Sequence, residues 1–197
     1  MLFNSLTFWL FLPIVLALYW AIPSAHRNVR NGLLLLASYA FYGFWDARFL
    51  SLIVLSTGVD YFAALAMDRG SGPRRKMALY ASVIVNLSIL GYFKYANFFL
   101  DSFHDLLSAC GVVTSHQSLD ILLPVGISFY TFQSMSYTID VYRKRTEVER
   151  NPLTFALYVA YFAQLMAGPI ERSSVLIPQL KTTRPWNPHL FYSGFSL

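Results

Sequence analysis

LPVGISFYTFQSMSYTIDVYR, residues 123–143, decides how this chain is read. The stretch is long and apolar enough to lie in a bilayer, where a crossing helix needs about 20 residues. Yet it carries Gln133, Asp140, Tyr130, Tyr137 and a series of Ser and Thr hydroxyls. Hydrocarbon satisfies none of these groups. Their spacing resolves the conflict. Gly126, Tyr130, Gln133, Tyr137 and Asp140 follow one another at intervals of 4, 3, 4 and 3 residues, which puts them on one helical face. Thr131, Ser134 and Thr138 run beside them, while Phe129, Phe132, Met135 and Ile139 take the far side. Polar groups that point one way share a partner or a cavity.

The rest of the chain agrees with a membrane setting. Hydrophobic residues make up 56% of it and charged residues 13%, about half the usual share of a soluble domain. Phe and Tyr, at 17 and 13, suit a protein bounded by two membrane–water interfaces. The formal charge of +5 is carried by loops between apolar runs, so it is not read as a nucleic-acid signal. A lone cysteine, Cys110, leaves no intrachain disulfide and no Cys-based metal site.

Apolar runs at 6–22, 32–45, 49–67, 77–93, 121–139 and 153–170 predict an all-α, polytopic fold of about six transmembrane helices. The second run is short, which leaves three alternatives: it borrows flanking residues, tilts little or is re-entrant; it joins the third in a tight turn at residues 46–48. Loops one, three and five hold ten basic residues (Arg27, Arg30, Arg69, Arg74, Arg75, Lys76, Arg143, Lys144, Arg145, Arg150), whereas loops two and four hold Arg48 and Lys94. The positive-inside bias therefore places the odd loops in the cytoplasm and the amino end outside. No Lys or Arg precedes the first run, as expected of a retained span and not of a secretory signal. Phe99, Phe103, Leu106, Leu107 and Cys110 recur at helical spacing and predict a further helix in the interface plane. After a loop over 181–188, LFYSGFSL opens another apolar run, so residues 1–197 read as the N-terminal part of a longer membrane domain.

The sixth run repeats the polar pattern. Tyr161, Gln164, Gly168 and Glu171 are spaced 3, 4 and 3, and Ala156, Ala160, Ala163 and Ala167 form a small-residue stripe that admits a close neighbour. Two readings follow. Gln133 and Gln164 glue helices together, or the two stripes, ending in Asp140 and Glu171, line a polar tunnel; the pair of stripes favours the tunnel. Asp60, within the third run, is either a structural partner of a buried donor or part of the same cavity. His26, His104, His116 and His189 fall in loops or the interface, and no catalytic constellation is complete.

At these residues the chain resembles the membrane-bound O-acyltransferase (MBOAT) family. The resemblance is carried by the opening stretch, by YVAYFAQLMAGPIER at 158–172, by RNGLLLLASYAFYGFWDARF at 30–49 and by FKYANFF at 93–99. It is strongest for the bacterial branch of alginate O-acetylation and D-alanyl transfer proteins. The resemblance implies a multi-helix enzyme of the bacterial inner membrane that moves an acyl group, here acetyl, towards hydroxyls of an exported polysaccharide such as alginate. It implies a thioester donor, acetyl-CoA or an acyl carrier protein, as substrate with no bound cofactor or metal. Partners would be membrane lipid, extracytoplasmic acetyltransferases and the polysaccharide acceptor, with no nucleic acid. The family's essential histidine lies on a later helix, and no histidine here has that context, so no catalytic residue is assigned and this piece alone is expected to be inactive. Tyr130, Gln133, Ser134, Tyr137, Asp140, Gln164 and Glu171 are the expected tunnel-lining or supporting residues. A transporter and a non-enzymatic membrane scaffold remain the rival readings.

Overall fold

The computed structural model describes residues 5–111, 121–165, 168 and 171–182, without the side chain of Trp45. Described secondary structure is helical throughout: α1 (Leu6–Ala21), α2 (Arg27–Asp46), α3 (Leu50–Arg69), α4 (Pro73–Leu90), α5 (Ala96–Ala109), α6 (Ile127–Tyr142), α7 (Pro152–Ala160), α8 (Phe162–Leu165) and α9 (Ser173–Lys181). The short second run does borrow flanking residues. α2 has 20 residues, about 30 Å at 1.5 Å each, and a single 3-10 turn at Ala47–Phe49 leads into α3.

Two helical stretches, Ala47–Arg69 and Pro73–Ala109, are long and apolar enough to cross a membrane by length and composition. Large apolar side chains face outward along them, including Phe62, Met77 and Ile84. This is a membrane protein. The count of six crossings is not confirmed, because among the described residues only these two stretches meet that test.

α3 and α4 form an antiparallel hairpin. Gly70 ends α3, Gly72 turns the chain at φ +54, and Pro73 opens α4 at a position where its missing N–H costs nothing. α4 runs through a π-helical segment, Gly91–Tyr95, into α5. The whole stretch of 37 residues spans about 55 Å, well beyond a hydrocarbon core of about 30 Å. α5 therefore sits at or beyond the interface, with Phe99, Phe103 and Leu106 exposed. The helix expected over this stretch forms, as a continuation of α4.

The continuous helix expected over 153–170 is broken. Asn151 caps α7 by accepting from the N–H groups of Leu153 and Thr154, and Pro152 starts it. α7 ends after nine residues, about 14 Å. Tyr161 leaves helical geometry at ψ 112, and α8 follows as a single turn. α9, which the sequence pattern does not announce, returns the chain to its starting level. There the Lys181 ammonium lies 2.6 Å from the Glu149 carboxylate. Arg27 donates to the Lys181 carbonyl at 2.7 Å, and Asn31 donates to that of Leu180 at 2.9 Å. Residues 149–181 thus enter the bundle and come back to the same end. The start of the run at 190–197 lies outside the described residues.

The core mixes aromatic and aliphatic side chains and joins α2, α3, α6 and α7 through Tyr42, Ile53, Tyr130, Tyr137, Phe155 and Tyr158. A second cluster seats α1 on α2 and α8, with Phe162 5.5 Å from Phe11 and 5.7 Å from Phe41, ring to ring.

Candidate functional site

α6 is the helix on which the site is built. It begins at Gly126, whose φ of +75 strains any residue with a side chain, and which lies in van der Waals contact with α8. A Cβ there would meet the Leu165 carbonyl oxygen at 3.5 Å and its Cγ at 3.6 Å. At its other end, Arg75 donates to the carbonyls of Val141 and Tyr142 at 2.8 and 2.9 Å, satisfying groups that the helix leaves open.

The predicted face of α6 turns inward. Tyr130, Gln133 and Tyr137 are fully buried, as are Thr131, Ser134 and Thr138, while Phe132 is exposed. Met135, on the far side, is buried as well. The two glutamines meet. Gln133 Nε2 donates to the Tyr158 carbonyl at 2.7 Å and reaches Gln164 Oε1 at 3.5 Å. Tyr158 Oη donates back to the Gln133 carbonyl at 3.3 Å and to that of Glu171 at 3.5 Å. The inward burial of both glutamines is the geometry the sequence pattern requires.

The junction is left incomplete on one side. Gln133 Oε1, Tyr130 Oη and Thr131 Oγ1 are buried with no hydrogen-bond partner. Buried acceptors and hydroxyls are ordinarily paired, and each unpaired one costs about 1–3 kcal/mol. α8 is held where its backbone would otherwise be stranded: Ser38 on α2 accepts from the Phe162 N–H at 3.2 Å and donates to the Leu34 carbonyl at 2.7 Å. Gly168 then folds the chain back onto Gln164, where a Cβ would lie 3.0 Å from Gln164 Cγ.

Other predicted residues divide differently from expectation. Tyr137 is a strut, because its Oη accepts from the Glu149 N–H at 2.9 Å and its ring packs 4.7 Å from Phe155. Ser134 faces away from the glutamine junction and lies 3.4 Å from Ser56 on α3. Asp140 and Glu171 are half-buried. Tyr161 lies at the break between α7 and α8, whereas the Gly168 N–H still donates to the Gln164 carbonyl at 3.0 Å. The small-residue stripe is split at that break, with Ala160 buried, Ala163 exposed and Ala167 outside the described residues.

Ser134 belongs to a second buried network that spacing alone did not assemble. Asp60 on α3 is fully buried. Its Oδ1 accepts from Ser82 Oγ and, at 2.9 Å, from Asn86 Nδ2, both on α4. Asn86 Nδ2 also reaches the Ser82 carbonyl at 3.0 Å, and Ser56 Oγ donates to Asn86 Oδ1. Ser134 and Thr138 of α6 lie on the carboxylate's other side. The missed members, Ser82 and Asn86, did carry a signal: they sit four residues apart in an otherwise apolar run.

A cavity of about 770 Å³ opens at the end where the basic loops gather. Arg75, Lys144, Arg145 and Arg150 line it together with Asp68 and Glu147. It is separate from the glutamine junction.

Comparison with known proteins adds the decisive observation. The chain is 45% identical over 186 residues to "Probable alginate O-acetylase AlgI" of Azotobacter vinelandii, covering 91% of this chain and 36% of that protein. It is 44% identical to the protein of the same name from Pseudomonas aeruginosa, covering 91% and 34%. The chain is a homologue of these alginate O-acetylases. The homology fits the alginate O-acetylation branch of the MBOAT family, which the motifs already resembled. A "Peptidoglycan O-acetyltransferase" of Helicobacter pylori is 32% identical over 226 aligned positions, covering the whole chain and 41% of that protein. The chain thus spans between about a third and two fifths of the length of these alginate and peptidoglycan O-acetylase relatives. No family model and no solved structure matches it.

Proposed function

We propose that this chain forms part of a membrane-bound O-acetyltransferase that moves acetyl groups towards hydroxyls of an exported polysaccharide, alginate being the acceptor its relatives' names suggest. The single observation that carries the reading is the 44–45% identity to alginate O-acetylases across 91% of the chain. The geometry supports it. A dry, aromatic-walled junction with unpaired Gln133 Oε1 and Tyr130 Oη offers a donor and an acceptor to a polar group passing between α6 and α8. Acyl transfer from a thioester needs such a shielded route and a base for the acceptor hydroxyl. No residue of this chain is assigned as that base. Gln133, Gln164 and Tyr130 are tunnel-lining residues in this reading; Tyr158 and Tyr137 hold them in place, and Asp140 and Glu171 stand at the junction's margins.

The same reading places the protein in the bacterial inner membrane with its amino end outside and the basic loops inside. An acetyl-CoA or acyl-carrier-protein donor would then meet the cationic cavity, where Lys144 and Arg145 complement a phosphate. Acetyl groups would pass to extracytoplasmic acetyltransferases and the polysaccharide beyond. The test is incorporation of labelled acetate into exported polysaccharide by cells carrying the full gene, no gene, or Gln133→Leu and Gln164→Leu versions. Loss on deletion, with at least a tenfold fall in each variant at unchanged membrane abundance, is expected. Full incorporation without the gene would remove the transferase reading, and unchanged activity in both variants would remove the junction from it.

A further inference from the structure

A groove on the outer flank of the α3–α4 hairpin matches one membrane leaflet in depth. From Arg69 to Val59 it follows α3 for ten residues, about 15 Å at 1.5 Å each. That is half of a hydrocarbon core of about 30 Å. Phe62 and Ala66 form one wall, Met77 and Ala81 the other, and Ser82 closes the inner end. The small alanines keep the helix pair open, while Phe62 and Met77, each 68% exposed, stand as its rims. The volume is about 540 Å³.

The mouth is cationic. Arg69, the last residue of α3, and Arg74, in the first turn of α4, both line the groove where the hairpin turns. Both are exposed, and among the described residues neither is in a salt bridge. This differs from their neighbours: Arg75 is spent on the carbonyls of α6, and Arg150 pairs with Asp68. Two uncommitted guanidinium groups therefore stand at headgroup level above an apolar slot one acyl chain deep.

We propose that this groove is a binding site for an anionic glycerophospholipid, with the phosphate between Arg69 and Arg74 and one acyl chain along Phe62, Ala66, Met77 and Ala81. Basic pockets between membrane helices select anionic headgroups in this way, and a guanidinium matches a phosphate bidentately. A protein helix would not need charge confined to one end of the slot. The inference is independent of the acetyltransferase reading.

Native mass spectrometry of the full protein in detergent, titrated with phosphatidylglycerol, with phosphatidylcholine of the same chain length, or with inorganic phosphate, tests the site. Phosphatidylglycerol should bind at least about tenfold more tightly than phosphatidylcholine. The preference should vanish in R69A/R74A and persist in R69K/R74K, which keeps the charge and controls for folding. Ala66→Phe, which blocks the slot and leaves both arginines, should weaken phosphatidylglycerol retention. Equal binding of the two lipids, a preference that survives R69A/R74A, or displacement of the lipid by equimolar inorganic phosphate would each overturn the proposal.

Discussion

The two hairpins of this molecule solve the same problem in opposite ways. α3–α4 is made of unbroken helices, so its backbone is satisfied internally, and its buried polar side chains gather on Asp60 Oδ1. α7–α9 interrupts its helices, so backbone groups reach inward and must be met by side chains from elsewhere: Ser38 for the Phe162 N–H, Gln133 for the Tyr158 carbonyl. Irregular backbone at membrane depth is tolerated only where protein or a cavity receives it. The first hairpin is scaffold. The second presents backbone groups to the interior, where α6 meets them; unpaired buried acceptors and hydroxyls remain on α6, at Tyr130, Thr131 and Gln133, and on α3, at Thr57 and Asp60 Oδ2.

The sharpest way to break this contrast is to remove the centre of the Asp60 network. Asp60→Leu strands Ser82 Oγ and part of Asn86 Nδ2 in a dry helix interface. It should destabilise the protein by about 2–3 kcal/mol, the cost of buried groups left unpaired. Asp60→Asn keeps an acceptor for Ser82 and Asn86 and offers its amide to Ser134 and Thr138, so it should stay close to wild type. Unfolding in mixed detergent reads the difference. If Leu and Asn at this position unfold alike, the network is not what holds α3, α4 and α6 together.

A smaller effect is expected at the break. Ser38→Ala removes the acceptor of the Phe162 N–H without disturbing α2, whose Ser38–Leu34 bond is only a local supplement. Hydrogen bonds between membrane helices average about 0.6 kcal/mol and reach about 1.7, so a loss near 1 kcal/mol is expected. Hydrogen exchange sharpens the outcome, because the Phe162 amide should lose protection selectively. Retained protection at Phe162 would mean that α8 holds its shape without help from α2.

The difference between the hairpins also explains what could be read from the letters. The α6 face was legible because a glutamine and two tyrosines at helical spacing have one cheap arrangement in lipid, which is inward. The reach of α2 was legible as one of three alternatives. The break at Tyr161 was not, since YVAYFAQL holds neither Gly nor Pro and its interruption is stabilised by Ser38, far away in sequence. α9 is short and carries Pro178, so no period announces it. The neighbour of Ser134 was not legible for a geometric reason: one residue of helix is a rotation of about 100°. That step moves a side chain from the glutamine junction to the Asp60 network. Spacing identifies a polar face but does not say which neighbour covers each edge of it.

The smallest effect is expected where the two hairpins touch through charge. Arg150, just before α7, places its guanidinium 2.9 Å from the Asp68 carboxylate near the end of α3, with the two side chains 79% and 37% exposed. Exposed pairs contribute about 0–1 kcal/mol, because water screens the attraction and both side chains lose freedom. Arg150→Ala should therefore shift the unfolding midpoint barely or not at all, and added salt should erase whatever shift there is. The main-chain carbonyl of Arg150 still accepts from Tyr61 Oη at 2.7 Å after the substitution, so the loop stays anchored. A loss well above 1 kcal/mol that persists in high salt would mean that charge at the basic end sets how the broken hairpin sits against the unbroken one. The aromatic core of Tyr61, Tyr137, Phe155 and Tyr158 would then be filling around that placement instead of causing it.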